Sequence, residues 1–283
     1  LKLILPVLNF NLGHTLECGQ AFRWERYLHA KGFDAGVYYG VIGRALVKVR
    51  YDNPHLILES DTALNKKEIS EYFGLNDDLK QILGEIDVDK NIHKAIVKFR
   101  GLRILKQEPW ECLASYILSI NNNIPRIKIL IERLSELFGS KLSLDGIKRH
   151  TFPKPDKIAN ADLKTLKGLK LGFRARFLKN AARKIAHKKF DLADLKDLSY
   201  DEAKERLISL EGVGEKVADC ALLFSFKKYE AFPVDVWIKR YMESTYFNGK
   251  KVSANRVGEF ARQHFGRYAG YAQEYLYHYV RCK

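Results

Sequence analysis

The stretch Leu210-Glu-Gly-Val-Gly-Glu-Lys216 constrains this chain more than any other. It joins two segments of helical period, and its two glycines flank one apolar residue, which permits a tight turn with backbone angles that other residues resist. The turn leaves backbone N–H groups free at the start of the second helix, where the helix dipole favours an anion such as a phosphate. Val213 can plug between the two helices. Taken alone, the stretch also fits an ordinary αα turn.

Around this hairpin the chain changes period. Residues 1 to about 62 read as strands: Leu1–Leu8, Val37–Tyr39, Ala45–Val49 and His55–Glu59, punctuated by Gly, Asp and Asn. A helical period follows. It predicts helices at Lys66–Phe73, Asp77–Leu83, Lys90–Val97, Trp110–Ser119 and Ile124–Phe138. A loop containing Pro153 and Pro155 comes next. Further helices are predicted at Phe173–Lys188, Tyr200–Ser209, Glu215–Ser225, Val236–Tyr241, Ala254–Phe265 and Ala269–Tyr279. The expected class is α+β, a small antiparallel β domain followed by a mainly helical part. The expected division is 1–98, with the β domain and its following helices, then a helical subdomain of 99–120 with 213–283, and a second of 121–212 that ends in the hairpin.

Charge is segregated along the chain. Residues 1–98 carry 13 basic and 13 acidic residues, and the rest supplies the whole net charge of +15. A basic excess confined to the helical part fits a polyanion-binding face. The four cysteines, Cys18, Cys112, Cys220 and Cys282, are scattered without a C-x-x-C pair. That spacing argues against zinc and iron–sulfur sites and fits reduced thiols. No apolar run approaches the roughly 18 residues that would cross a bilayer.

Lys216 falls in the first turn of the helix after the hairpin, and Asp235, in Phe232-Pro-Val-Asp-Val236, precedes another helix. Read singly, they are a surface lysine and an N-cap aspartate. Read together after a hairpin, they resemble the helix–hairpin–helix DNA glycosylases, and among those the 8-oxoguanine DNA glycosylase (OGG) family. Cys18-Gly-Gln-Ala-Phe-Arg-Trp24, Ile120-Asn-Asn-Asn-Ile124 with Arg126, and Ala269-Gly-Tyr-Ala-Gln273 match the same family in the same order. The matches span nearly the whole chain.

The resemblance implies a bifunctional glycosylase and AP lyase. It acts on double-stranded DNA carrying 8-oxoguanine, preferably opposite cytosine, and flips the base out to reach it. Lys216 is then the nucleophile that displaces the base and forms a Schiff base. Its place at a helix N-terminus opposes the ammonium and favours the attacking amine. Asp235 would stabilise the positive charge that develops on the sugar. Cys220, one turn beyond Lys216, could supply a negative partner charge or pack against the base; it also fits a buried structural thiol. The resemblance assigns lesion reading to the backbone carbonyl of Gly19. N7 of 8-oxoguanine carries a hydrogen, whereas N7 of guanine accepts. Gln273 would read the Watson–Crick edge and Tyr277 would stack on the base, although Tyr277 equally fits a core aromatic. Phe22 and Trp24 are expected in the core beneath the Gly19 loop.

Asn121 would contact the orphaned partner base, with Arg126 and Arg174 reading its edge. The amides of Val213, Gly214 and the start of the next helix would hold phosphate. Two positions depart from animal members. Trp237 stands where those have a phosphate-binding histidine. Phe173 stands where they have an intercalating tyrosine, so weaker discrimination against adenine is expected. A glycosylase for alkylated bases, or a non-catalytic DNA-binding hairpin module, would share the hairpin; Lys216, the asparagine triplet and Gln273 argue against the first, and Lys216 with Asp235 against the second. No cofactor is needed for the chemistry, though hairpin carbonyls could hold a monovalent or calcium ion. A monomer in bacterial or archaeal cytoplasm, with no membrane association, is expected.

Overall fold

The alternating segments at the start of the chain pair into one antiparallel sheet. In a computed structural model, which describes residues 1–27 and 36–282, the strands are β1 (Lys2–Pro6), β2 (Glu25–Tyr27), β3 (Val37–Ile42), β4 (Ala45–Asp52) and β5 (His55–Ser60). Their order is β1-β5-β4-β3-β2. Helix α1 (Leu12–Glu17), absent from the sequence reading, lies between β1 and β2; Asn11 caps it by accepting the His14 amide at 2.8 Å. Side chains of period two from the sheet, among them Val47, Val49, Leu56 and Leu58, meet Leu12, Leu16, Trp24 and Phe73 in a first core.

The helical part follows as α2 (Lys66–Tyr72), α3 (Leu79–Ile86), α4 (Lys90–Lys98), α5 (Pro109–Leu118) and α6 (Ile124–Phe138). The expected loop before residue 173 is instead a hairpin, β6 (Lys141–Leu144) and β7 (Ile147–His150), then α7 (Pro155–Asn160) and α8 (Leu163–Gly168). Asp145 and Gly146 both have positive φ, the geometry of a tight two-residue turn that suits an Asp-Gly pair. The Asp145 carboxylate also takes Lys48 Nζ at 2.8 Å and the Tyr39 hydroxyl at 3.0 Å, which pins this hairpin to the sheet.

The remaining helices are α9 (Arg174–Ala186), α10 (Tyr200–Ile208), α11 (Glu215–Phe226), α12 (Val236–Tyr246), α13 (Ala254–Phe265) and α14 (Ala269–Arg281). Helix α12 runs five residues past its predicted end, with Met242 and the Glu243 side chain buried. One continuous apolar cluster joins α3 and α4 to all the later helices, with α5 and α11 packed together at its centre. Core contacts thus hold α11 from Val217 to Phe224. No described helix is long and apolar enough to cross a membrane.

Candidate active site

The hairpin closes tightly. Gly212 has φ of +82°, and a Cβ built there would lie 2.3 Å from the Phe177 ring. Val213 is buried between the helices. Its own N–H donates to the Leu210 carbonyl at 3.0 Å, so this amide, expected to serve phosphate, is used inside the turn. The amides of Gly214, Glu215 and Lys216 remain as the first-turn donors of α11. A Cβ on Gly214 would meet nothing within 4 Å, so open space faces those donors.

Helix α11 carries Lys216 into a cleft of about 960 Å³. Gly19, Cys220, Asp235, Gln273 and Tyr277 line the same cleft, as do Asn121, Trp237 and Gly214. Five separate segments thus converge on one volume. Lys216 Nζ donates to Ser119 Oγ at 3.1 Å and sits 4.9 Å from the centroid of the Tyr116 ring. Asp235 caps α12, accepting the Ile238 amide at 2.8 Å on one oxygen. Burial raises its carboxyl above the ordinary value, against the opposing pulls of that amide and of Lys216.

Cys220 is 3% exposed, and burial pushes its thiol up to about 12 despite the nearby Lys216. That direction favours a neutral packing surface over an anionic partner for Lys216. Gln273 is buried, and its Oε1 finds no partner among the described residues. Such an orphaned amide oxygen in a cleft favours a ligand that donates to it.

Gly19 has φ of +107° and lies beside the ring of Tyr277. Its loop is held from below, as expected of Phe22 and Trp24, which are both buried. Gln20 does more: its side chain donates to the Arg103 carbonyl at 2.9 Å and accepts the Leu105 amide at 2.8 Å, and its carbonyl takes Gln107 Nε2 and the Tyr116 hydroxyl.

The asparagine triplet divides its tasks. Asn121 takes a positive φ of 48°, which Asn tolerates better than most residues. Asn122 ties back to the Leu118 carbonyl at 3.0 Å, and Asn123 caps α6 through the Arg126 amide. Among the described residues the Asn121 side chain alone of the three makes no hydrogen bond. A shallower recess at the mouth of the cleft gathers Asn121, Arg126 and Arg174. Arg174 is buried, and its guanidinium donates to the carbonyls of Ile120 at 2.6 Å and Asn121 at 2.7 Å. Most of its donors thus hold the loop in place. Phe173 is 51% exposed with its ring 4.6 Å from the Arg174 guanidinium, and Trp237 is 54% exposed.

The sequence reading missed Ser119, Tyr116, Glu274 and Arg281. Glu274 carried a signal, being the one acidic residue of the Ala269–Arg281 helix. Arg281 lay beyond the predicted helix end. Among the described residues, no group of three His, Cys, Asp or Glu side chains gathers as a metal site.

Two family domains are matched along the chain. The N-terminal domain of 8-oxoguanine DNA glycosylase matches residues 2–113, and the HhH-GPD superfamily of base excision DNA repair proteins matches 114–265. The probable N-glycosylase/DNA lyase of Methanothermobacter thermautotrophicus is 34% identical over 76% of this chain and 75% of its own. The N-glycosylase/DNA lyase of Saccharomyces cerevisiae is 31% identical over 90% of this chain and 72% of its own. The Clostridium acetobutylicum 8-oxoguanine glycosylase/lyase, solved with double-stranded DNA containing cytosine opposite 8-oxoguanine, superposes with a TM-score of 0.90 at 36% identity, covering 99% of this chain and 97% of that one. By these matches and by its hairpin, lysine and aspartate, the chain belongs to the 8-oxoguanine DNA glycosylase family of the HhH-GPD superfamily.

Proposed function

We propose that this protein excises 8-oxoguanine from duplex DNA and then cleaves the strand through a Schiff base on Lys216. The observation that carries the reading is the convergence of Lys216 and Asp235 with Gly19 and Gln273 on one cleft. The first pair supplies chemistry and the second supplies base recognition.

The lesion enters the cleft by leaving the base stack. The Gly19 carbonyl accepts N7–H of the oxidised base and opposes the lone pair of normal guanine. The Gln273 amide oxygen accepts from the donor groups of the base edge. Tyr277 and the neutral Cys220 thiol bound the base on its flat faces. Lys216 Nζ, as the free amine, attacks the anomeric carbon. The glycosidic bond breaks and its electron pair leaves with the base, which takes up a proton. Asp235 stabilises the positive charge on the sugar as this happens. Ring opening yields an imine between Lys216 and the sugar. Loss of the proton on the neighbouring carbon then expels the 3′ phosphate oxygen, and water releases the lysine.

On the opposite strand, Asn121 fills the gap and Arg126 reads the orphaned base. Arg174 contributes the donors that its loop contacts leave free. Cytosine offers acceptors to these groups, which favours it over adenine. Phe173 stacks at the mouth.

The test is borohydride trapping on a duplex with one 8-oxoguanine opposite cytosine, beside Lys216→Gln and an undamaged duplex. An adduct with the parent alone, on lesion DNA alone, is expected. Base release without an adduct would instead point to a water-activating glycosylase centred on Asp235. Binding without either would point to a DNA-binding module.

A further inference from the structure

Gly19 is held from two sides, and only one of them belongs to the core. The carbonyl after it, on Gln20, takes two donors from α5 and the segment before it: the Gln107 amide at 2.7 Å and the Tyr116 hydroxyl at 3.0 Å. The carbonyl before it, on Cys18, takes Arg281 Nη1 at 2.6 Å. Among the described residues no other donor reaches that oxygen. The bond spans 263 positions of sequence, from the last turn of α14 to the first loop of the chain.

Arg281 also occupies the space a side chain at position 19 would need. A Cβ there would lie 2.5 Å from Arg281 Nη1. The guanidinium is itself fixed, lying 5.3 Å from the centroid of the Tyr277 ring. It also faces the carboxyls of Glu274 and Asp235 across the cleft. Glu274 is 1% exposed and its carboxyl lies against the Cys18 thiol, so α14 grips Cys18 at two atoms. The same helix carries Gln273.

We propose that Arg281, assisted by Glu274, is a positioning residue for lesion recognition: it holds the peptide between Cys18 and Gly19 so that the Gly19 carbonyl stays aimed at N7 of the bound base. This rests on the substrate reading above. Without the Arg281 bond, the Cys18–Gly19 peptide is free to turn, because a glycine with positive φ resists rotation poorly. The Gly19 carbonyl, hinged to that peptide through the Gly19 Cα, then loses its aim and neither bonds the lesion nor opposes normal guanine. With the bond in place, one rigid helix sets the distance between the two groups that read the base.

A merely structural arginine and a positioning one differ in which step they affect. A preformed AP site has no base, so its cleavage uses Lys216 without the Gly19 carbonyl. The experiment therefore compares single-turnover excision of 8-oxoguanine opposite cytosine with cleavage of a preformed AP site, in the parent, Arg281→Met and Arg281→Lys. The Met variant should excise 8-oxoguanine roughly tenfold more slowly while cleaving the AP site within about twofold of the parent, the loss expected of one buried hydrogen bond. The Lys variant, which keeps a cationic donor, should fall between parent and Met. Unchanged excision by Arg281→Met, or a parallel loss of both activities, would overturn the clamp. A parent that cleaves the AP site but leaves 8-oxoguanine in place would instead overturn the substrate reading, and the clamp's role with it.

Discussion

In the proposed mechanism Asp235 divides its work between its two oxygens, and this allows its charge to be separated from its structural role. One oxygen caps α12. Asparagine caps about as well as aspartate, so Asp235→Asn should change stability by only about 0.5 kcal/mol, read as an almost unmoved melting temperature. Base excision should nevertheless fall roughly 100- to 1,000-fold, because the charge facing the sugar is gone. Burial also raises the Asp235 carboxyl from its ordinary 3.8. The pH–rate profile for excision should accordingly lose activity on its acid side as pH falls through a value above 3.8, the carboxylate being the active form. Glu274 gives a stability test of the same kind. Burial lifts its carboxyl from 4.5 to about 7. Between those two values the native state binds the proton more tightly than the unfolded chain, so stability falls as pH rises through that window. Glu274→Gln removes this burden. Thermal melts should show the variant more stable than the parent by on the order of 2 kcal/mol above neutrality, with the difference vanishing below pH 4.5. Equal melting temperatures above neutrality would mean that the carboxyl is not held up by burial. Stabilisation there alongside slower excision would fit a buried acid kept for function.

At the scale of the element, the hairpin between α10 and α11 sets two glycines in contrasting surroundings. Gly212 has a positive φ and a phenyl ring where a Cβ would go, whereas Gly214 has an extended backbone and open space. Gly212→Ala should lower stability by about 1–3 kcal/mol, through strain and overpacking against Phe177. Gly214→Ala should leave the melting temperature alone yet weaken DNA binding roughly tenfold, since its methyl group enters the space before the α11 amides. Titration of labelled duplex against both variants checks the pair. Equal binding by Gly214→Ala and the parent would remove the phosphate from this helix start. Helix α14 is the second element that matters here. Its i, i+4 rows place Gln273 with Tyr277, and Tyr277 with Arg281, along one stripe facing the cleft.

For the whole molecule, the excess of basic residues lies in the helical part, after residue 98. DNA binding should weaken on the order of 1,000-fold between about 50 and 200 mM salt, as counterions displaced by phosphate contacts return. A flat salt dependence would count against a phosphate-tracking face. The sequence by itself determined the class of fold, because period two and period 3.6 are local patterns that a one-sided core enforces. It also determined the hairpin and the local settings of Lys216 in a first helical turn and Asp235 at a helix cap, which a few neighbouring residues specify. The sequence reading missed the β6–β7 hairpin despite its Asp-Gly pair, since its strands are short and gain their place from Lys48 and Tyr39, about a hundred residues earlier. Only the tertiary structure decided the rest. It buried the Cys220 thiol and so pushed its titration up, which spacing alone does not reveal. It turned the Val213 amide into the hairpin and most of Arg174 onto loop carbonyls, and among the described residues it gave the Asn122 and Asn123 side chains partners that Asn121 lacks. It also carried Arg281 across the chain to Cys18. Hydrogen bonds and desolvation act between groups that are close in space, and no local pattern in the sequence records which distant groups folding will bring together.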